Sequence, residues 1–452
     1  MVARAVVASG RNVSETLSVG SVARSLAWLA FIVYLLFWSP QLDADAILGC
    51  SAFIVAVAIH GLTCEARRGI RELMSLLNAI WLGLLIYALP IYVLSALTDI
   101  SVLLDIDPKA LTHAAWLTFI LIAVTGFAVE LLRPWAVSLH RGALWRLAAV
   151  SKERQFYAAP VLLIVYGANY LGTGAMDLIS SGNRFEITQA FETGKMWFVQ
   201  YLMTGVTIAF IYQYFQIPTV RRVSFYIGLA PVGLFWAMYL SLGNRRGVIT
   251  IVLAAVVCFV ARNRNGKRAV ATLLLAFTVA GLIGILRQDA SAVAPDQAFL
   301  IGLSNFLGEF IYPSYTLVRT MEKGEPASLD FTWLTMIFDF AIAKANEQSF
   351  DFLGQRFALE NTVIGTEIMG FAYLPITEAF LNFGAIGAAV TGVALITSVL
   401  LLAEIFKSNA WIYLLLLSQT LDINRGEFAA MVFQFLIIAG GFLLTTKIRL
   451  HQ

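Results

Sequence analysis

Apolar runs long enough to cross a bilayer recur along this chain, and they limit what it can fold into. They fall at roughly 22–38, 45–62, 73–97, 114–133, 157–172, 195–215, 223–243, 248–261, 269–286, 371–405, 410–421 and 428–446. A hydrocarbon core of about 30 Å takes some 20 apolar residues in a helix. Within it the backbone must satisfy its own hydrogen bonds, which selects helices over open sheets. The fold class expected is therefore an all-α, polytopic integral membrane protein with about 12 transmembrane helices. Composition agrees: hydrophobic residues are 59% of the chain and charged residues 13%, with a mean hydropathy of +0.79. Cys50, Cys64 and Cys258 lie in or beside apolar runs without metal or disulfide spacing. The segment before the first run carries Arg4 and Arg11 but no apolar core of its own and no small-residue cleavage site. The first span is expected to be retained.

Orientation follows from the placement of Lys and Arg. With the N-terminus inside, about two-thirds of the 31 basic residues fall in inner segments and most of the 28 carboxylates fall outside. Both termini are then expected to be cytoplasmic. Arg24, Glu65, Glu130 and Arg133 belong to this inner set, and 133–154 reads as an inner surface helix that meets anionic lipid. Five arginines break the pattern at short polar flanks of apolar runs. They are Arg184 in "SSGNRFE", Arg245 and Arg246 in "LGNRRGV", Arg287 in "GILRQDA" and Arg425 in "DINRGEF". A single snorkelling arginine marks a helix end, whereas five on the disfavoured face point to an anion site. The planar guanidinium suits phosphate because it can bind bidentately.

Three regions are expected: a transmembrane bundle over 1–286, a long outer-face loop over 287–370, and C-terminal transmembrane helices over 371–452. In the loop, 298–318 is apolar with Glu309 its only charge, and a re-entrant or interfacial pair broken near Pro313 is expected. The segment 328–345 has the spacing of an amphipathic helix lying on the membrane. The chain then re-enters the membrane through "TEAFLNFGAIG", where Glu378 and Asn382 share one helix face. Gly384 and Gly387 there read as packing residues. A carboxylate such as Glu378 in an apolar segment is a functional candidate, paired with an outer-side arginine.

The arginines around "GNRRG", the long outer segment and the Glu-x-x-x-Asn-Phe-Gly-x-x-Gly pattern at 378–387 together resemble the bacterial oligosaccharide repeat-unit polymerases of the Wzy type. Their layout is similar to that of the membrane C-type glycosyltransferases. The resemblance implies an enzyme that moves a growing glycan from undecaprenyl pyrophosphate onto a lipid-linked repeat unit, at the periplasmic face of the inner membrane. The leaving pyrophosphate would be stabilised by Arg245, Arg246, Arg287 and Arg425, with Arg184 serving the second lipid-linked substrate. The acceptor hydroxyl needs a base, for which Glu378 is the candidate, with Asn382 orienting sugar. Glu309 and Glu427 are weaker candidates, and Glu427 reads better as a partner of Arg425. Tyr312 and Trp333 are aromatic residues for sugar stacking, Trp333 reading better as a headgroup contact. No cofactor is implied. The partners implied are undecaprenyl-pyrophosphate-linked oligosaccharides and membrane lipids, with a chain-length regulator protein left open.

Other readings stand beside this one. An O-antigen ligase uses the same donor, but the resemblance expects a histidine in its outer loop, and His60, His113, His140 and His451 all lie elsewhere. Metal-dependent transfer would draw on Asp105 and Asp107, where Pro108 suggests an ordinary turn. A flippase for lipid-linked sugars suits the helix count, but the two halves show no internal repeat. No P-loop or nucleic-acid-binding pattern is present, and the basic runs read as inner-face anchors.

Overall fold

The computed structural model describes residues 18–37, 42–98, 106–149, 198–216, 245–262, 295–324, 338–343, 374–424 and 428–447, with isolated positions between them. In chain order the helices are α1 (Val19–Phe37), α2 (Ala44–Arg68), α3 (Ile70–Leu73), α4 (Leu76–Ala88), α5 (Pro90–Leu97), α6 (Pro108–Ala148) and α7 (Val199–Gln216). They continue with α8 (Arg245–Arg262), α9 (Pro295–Glu322), α10 (Pro375–Ile405), α11 (Ala410–Ser418), α12 (Thr420–Ile423) and α13 (Phe428–Lys447). Among the described residues all regular structure is helical.

The chain is a membrane protein. Five helical stretches are long and apolar enough to span: Val19–Phe37, Ala44–Arg68, Leu76–Leu97, Pro108–Ala148 and Pro375–Ile405. Four more expected runs correspond to shorter or less apolar helices, namely α7, α8, α11–α12 and α13. The runs at 157–172 and 269–286, and most of 223–243, lie outside the described residues. Of the expected amphipathic helix, only 338–343 is described, and it is helical.

Helix α6 is the spine of the bundle, touching α1, α2, α4, α8, α9, α10 and α11. Its 41 residues correspond to about 60 Å at 1.5 Å per residue. The separate surface helix expected from 133 onward is therefore absent: α6 continues through Pro134, and Ala136, Val137, Leu139, Ala143, Leu144 and Leu147 are buried. Proline normally breaks a helix by removing one N–H and crowding the carbonyl four residues back. Here that carbonyl belongs to Glu130, and the Ser21 hydroxyl of α1 lies 3.4 Å from it while donating to the Glu130 carboxylate at 2.8 Å. The expected break at Pro313 is also absent. Helix α9 runs through it, packed against α4, α5, α6 and α10, so the first part of the expected loop belongs to the bundle. The adjacent Ser314 hydroxyl donates to the Tyr87 carbonyl beside the α4–α5 break at Pro90.

The charged residues read from sequence as inner-side groups form a buried network. Glu130 accepts from Arg24 through both carboxylate oxygens at 2.8 Å, and from Arg133 at 2.8 and 3.2 Å. Arg133 also reaches Glu65 of α2 at 3.2 Å and approaches Asn78 of α4 at 3.5 Å. Arg24, Glu65, Glu130 and Arg133 are all buried. The buried members of the network are two arginines and two glutamates, with the exposed Arg68 also reaching Glu65 at 3.5 Å, and α1, α2, α4 and α6 meet around it. Beside it lies a small cleft of about 10 Å³ lined by Trp28, Trp81, Asn78 and Glu130 among others.

Contacts sort the helix ends into two groups. At one end, His140 joins Tyr413 and the Arg71 carbonyl at 2.8 Å each, Arg141 pairs with Glu72, and Lys407 pairs with Glu404. At the other, the Trp116 indole donates to the Leu35 carbonyl, the Asp107 N–H donates to Glu322, and Thr316 meets Thr377. Helices α7 and α13 cross so closely that a Cβ on Gly205 would lie 2.0 Å from the Ile438 carbonyl oxygen, the close approach that small residues allow between membrane helices.

Removing one member of a buried ion pair strands its partner, which costs about 3–5 kcal/mol. Glu130→Gln should therefore lower stability by about that amount, measured as thermal unfolding in detergent. Replacing Arg24 and Glu130 together by methionine keeps Arg133 balanced against Glu65, and should cost less than the single change.

Candidate functional site

The C-terminal apolar segment is interrupted at "SQTLDINRGEF". Helix α11 stops at Ser418, α12 adds one turn to Ile423, Asn424 is a turn residue, and α13 is described from Phe428. Asp, Asn and Gly are weak helix formers, and the first two bond the local backbone readily. The Asn424 amide does so here, donating to the Thr420 carbonyl at 2.8 Å. It also donates to the Ile80 carbonyl of α4 at 3.1 Å. Asp422 accepts from the Thr250 hydroxyl of α8 at 3.4 Å. The restarting helix is held in turn: the Phe428 N–H donates to Glu378 Oε2 at 2.8 Å.

This last contact has a direct electrostatic cause. A helix start presents N–H groups with no partner in the helix and the positive end of the macrodipole. In a bundle without bulk water, a carboxylate from another helix supplies both the acceptor and the opposite charge. Glu378 is suited to this because it sits on the first turn of α10, behind Pro375, and is buried. The Asn382 side chain turns back on its own helix and donates to the Glu378 carbonyl at 2.8 Å. Two residues later α10 kinks at Gly384, whose φ of 66° and ψ of −160° only glycine adopts at low cost. Gly384 is thus a backbone hinge rather than the packing residue expected. The kink sets the first turns of α10, carrying Glu378 and Asn382, apart from the rest of the helix.

Helix α9 completes the surroundings. Thr316 and Thr377 meet hydroxyl to hydroxyl at 3.1 Å, immediately before Glu378. Tyr312 stands one turn before Thr316 on the same face of α9, half-buried, with its ring edge-on to Tyr315. Helix α8 is described from Arg245, and Thr250 follows Arg246 by four residues on one face. The contact that joins α8 to Asp422 is therefore on the face that carries Arg246.

Of the residues named from sequence, the structure places Glu378 and Asn382 on the first turns of α10, Tyr312 on α9 one turn before the Thr316–Thr377 contact, and Arg245 and Arg246 on α8, whose Thr250 meets Asp422. Glu309 lies within α9, three residues before Tyr312. Arg184, Arg287, Arg425, Glu427, Trp333 and Asp105 lie outside the described residues. Asp107 caps α6 by accepting from the Lys109 N–H. Among the described residues no three His, Cys, Asp or Glu side chains gather as metal ligands would. Sequence reading passed over Asp422, Asn424 and Thr250. The signal for the first two was present, since "LDIN" places a carboxylate and an amide in an apolar run, the same irregularity that marked Glu378.

Chemically, the site offers a buried carboxylate that accepts from a backbone N–H, with hydroxyl and amide groups around a helix break.

Losing a side-chain cap typically costs about 0.5–2 kcal/mol. Glu378→Ala should accelerate amide exchange at Phe428, read by hydrogen–deuterium exchange, while Glu378→Gln should retain part of the protection because its carbonyl still accepts. Gly384→Ala should destabilise the fold by about 1–3 kcal/mol, the cost of that backbone region for an L-residue, read from the thermal midpoint.

Comparison with protein-family models, with characterised proteins and with solved structures gives no match to this chain.

Proposed function

We propose that the chain is a membrane glycosyltransferase that polymerises lipid-linked oligosaccharide repeat units at the periplasmic face of a bacterial inner membrane. The observation that carries this reading is the meeting of Glu378 with the interrupted α12–α13 helix, where Phe428 is bound at 2.8 Å. Arg425 is three residues from that contact in sequence, and Asp422 links the same break to the helix that carries Arg245 and Arg246. A carboxylate and an arginine-rich locus are what transfer from a lipid pyrophosphate requires. In this reading the end of the bundle holding Arg71, Arg141 and Lys407 faces the cytoplasm, as do both termini.

In the reaction an acceptor sugar hydroxyl attacks the anomeric carbon of the donor glycan. The bond from that carbon to the pyrophosphate oxygen breaks, and the carrier leaves with the electron pair. Arg245, Arg246, Arg287 and Arg425 stabilise the charge gathering on the pyrophosphate, and Arg184 holds the second lipid-linked substrate. The hydroxyl proton passes to Glu378. Asn382 and Tyr312 orient sugar, with Glu309 a further contact from α9.

One observation favours a second reading. Interrupted helices beside a buried carboxylate also occur where transporters bind substrate, which suits a flippase for the same lipid-linked sugars.

Deletion followed by gel analysis of the surface glycan separates the possibilities. Loss of long chains, with a single repeat unit still reaching its final acceptor, supports the polymerase. Polymer accumulating on carrier lipid indicates a ligase instead, and absence of repeat units from the outer face indicates a flippase. Glu378→Gln should stop elongation while leaving carrier-lipid binding within about twofold, since the pyrophosphate contacts are elsewhere. Near-normal elongation in that variant would remove Glu378 from the role of base.

A further inference from the structure

Helix α10 bends at Gly384, and the next glycine lies on the inside of that bend. In a straight helix Ala379 and Gly387, eight residues apart, would be separated by about 12 Å of rise. Here a Cβ on Gly387 would fall 2.9 Å from the Ala379 carbonyl oxygen and 2.2 Å from the Phe383 Cβ. The turns before the bend therefore rest against the turn after it. Exposure agrees: Ala385 and Ile386, on the outside of the bend, are exposed, while Gly387 and Ala388 are buried. Gly384 supplies the backbone angle and Gly387 the room.

We infer that Gly387 is a positioning residue for Glu378, because its bare backbone lets the first turns of α10 fold in far enough to place that carboxylate. The inference rests on the glycosyltransferase reading for its effect on turnover, but its geometry does not need that reading. Carbon atoms pack at about 3.5–4.0 Å, so a methyl on Gly387 would push one arm of the bend away by about 1 Å. The arm after the bend is held by close backbone packing. Gly392 lies so near α6 that a Cβ there would be 2.1 Å from the Thr125 hydroxyl oxygen, and the Gly387 carbonyl accepts from Thr391 at 2.6 Å. The arm before the bend is the one to yield. Ala379, whose carbonyl meets Gly387, directly follows Glu378 in the chain. That arm is tied to its surroundings by the Thr316–Thr377 contact at 3.1 Å and the bond from the Phe428 N–H to Glu378 at 2.8 Å. Both contacts would be disturbed by the shift. A displacement of about 1 Å at a reacting group can lower turnover by on the order of a hundredfold.

Helix propensity alone predicts no harm from Gly387→Ala, since alanine is the better helix former. The test uses the full-length protein in lipid vesicles, supplied with lipid-linked repeat units extracted from a deletion strain. It compares Gly387→Ala, Phe383→Gly and the double variant. Amide exchange at Phe428 needs no substrate, and elongation is read as maximal turnover and as the repeat-unit level giving half of it. Gly387→Ala is expected to raise exchange at Phe428 and to lower turnover per folded protein by on the order of tenfold or more, with half-saturation kept within about twofold. Phe383→Gly removes the nearest atom that the methyl strikes, so the double variant should lose less than the product of the two single losses. Exchange at Phe428 unchanged in Gly387→Ala would overturn the inference, and so would losses that multiply. If Gly387→Ala does not accumulate, the double variant decides: restored accumulation supports the contact, and continued failure overturns it. Raised exchange with normal turnover would overturn the positioning role. A deletion strain with normal glycan would instead sink the glycosyltransferase reading and leave the exchange result standing.

Discussion

Glu130 accepts hydrogen bonds from Arg24 and Arg133 with both carboxylate oxygens, and four helices meet around that group. An isolated charge would not be tolerated there, because nothing in an apolar bundle replaces its hydration. The charges are therefore matched, two guanidiniums to two carboxylates. The Ser21 hydroxyl is placed next to the one carbonyl that Pro134 leaves without a helical partner. Hydrophobic burial distinguishes poorly between helix registers in lipid, since a leucine against a lipid tail is nearly as well placed as a leucine against a neighbour. The ionic cluster does distinguish them. A slip of α1 by one turn would separate Arg24 from Glu130 and leave both uncompensated.

The same constraint operates with a different outcome at the α12–α13 break. There one backbone N–H, that of Phe428, meets a carboxylate of α10, while the Asn424 amide bonds a carbonyl of α4 and the Asp422 carboxylate accepts from a hydroxyl of α8. Non-helical backbone persists at membrane depth only when protein supplies its hydrogen bonds or a polar cavity does. The described contacts of the interruption thus depend on α4, α8 and α10. A break so dependent on its surroundings is costly to keep without a use, and this is the argument for reading it as the functional centre.

How much of this was legible depends on the range of the interaction involved. The spans at Val19–Phe37, Ala44–Arg68, Leu76–Leu97 and Pro375–Ile405 follow from local hydropathy, and reading them needed nothing from the rest of the chain. Pro134 and Pro313 misled because a proline's effect on a helix is local only when no neighbour supplies the missing bond. Arg24, Glu65 and Arg133 read from sequence as inner-side charges but not as a cluster, since sequence shows their sign and not their partners. Glu378 stood out as a carboxylate in an apolar segment, but Phe428, fifty residues on, carried no mark of its own. Asp422 carries the same local mark as Glu378, a carboxylate in an apolar run.

The two polar centres therefore divide the labour of the fold by the way they are neutralised. Around Glu130, side chains satisfy side chains, and the cluster closes on itself with matched charge. Around Glu378, a side chain satisfies backbone at a helix start, and the charge stands opposite a dipole rather than a fixed cation in that contact. A matched ion cluster resists change because any single alteration strands a full charge. Losing a single cap costs only about 0.5–2 kcal/mol, less than stranding a buried charge. Stability is thus concentrated where charge is balanced, and the helix break lies apart from that cluster.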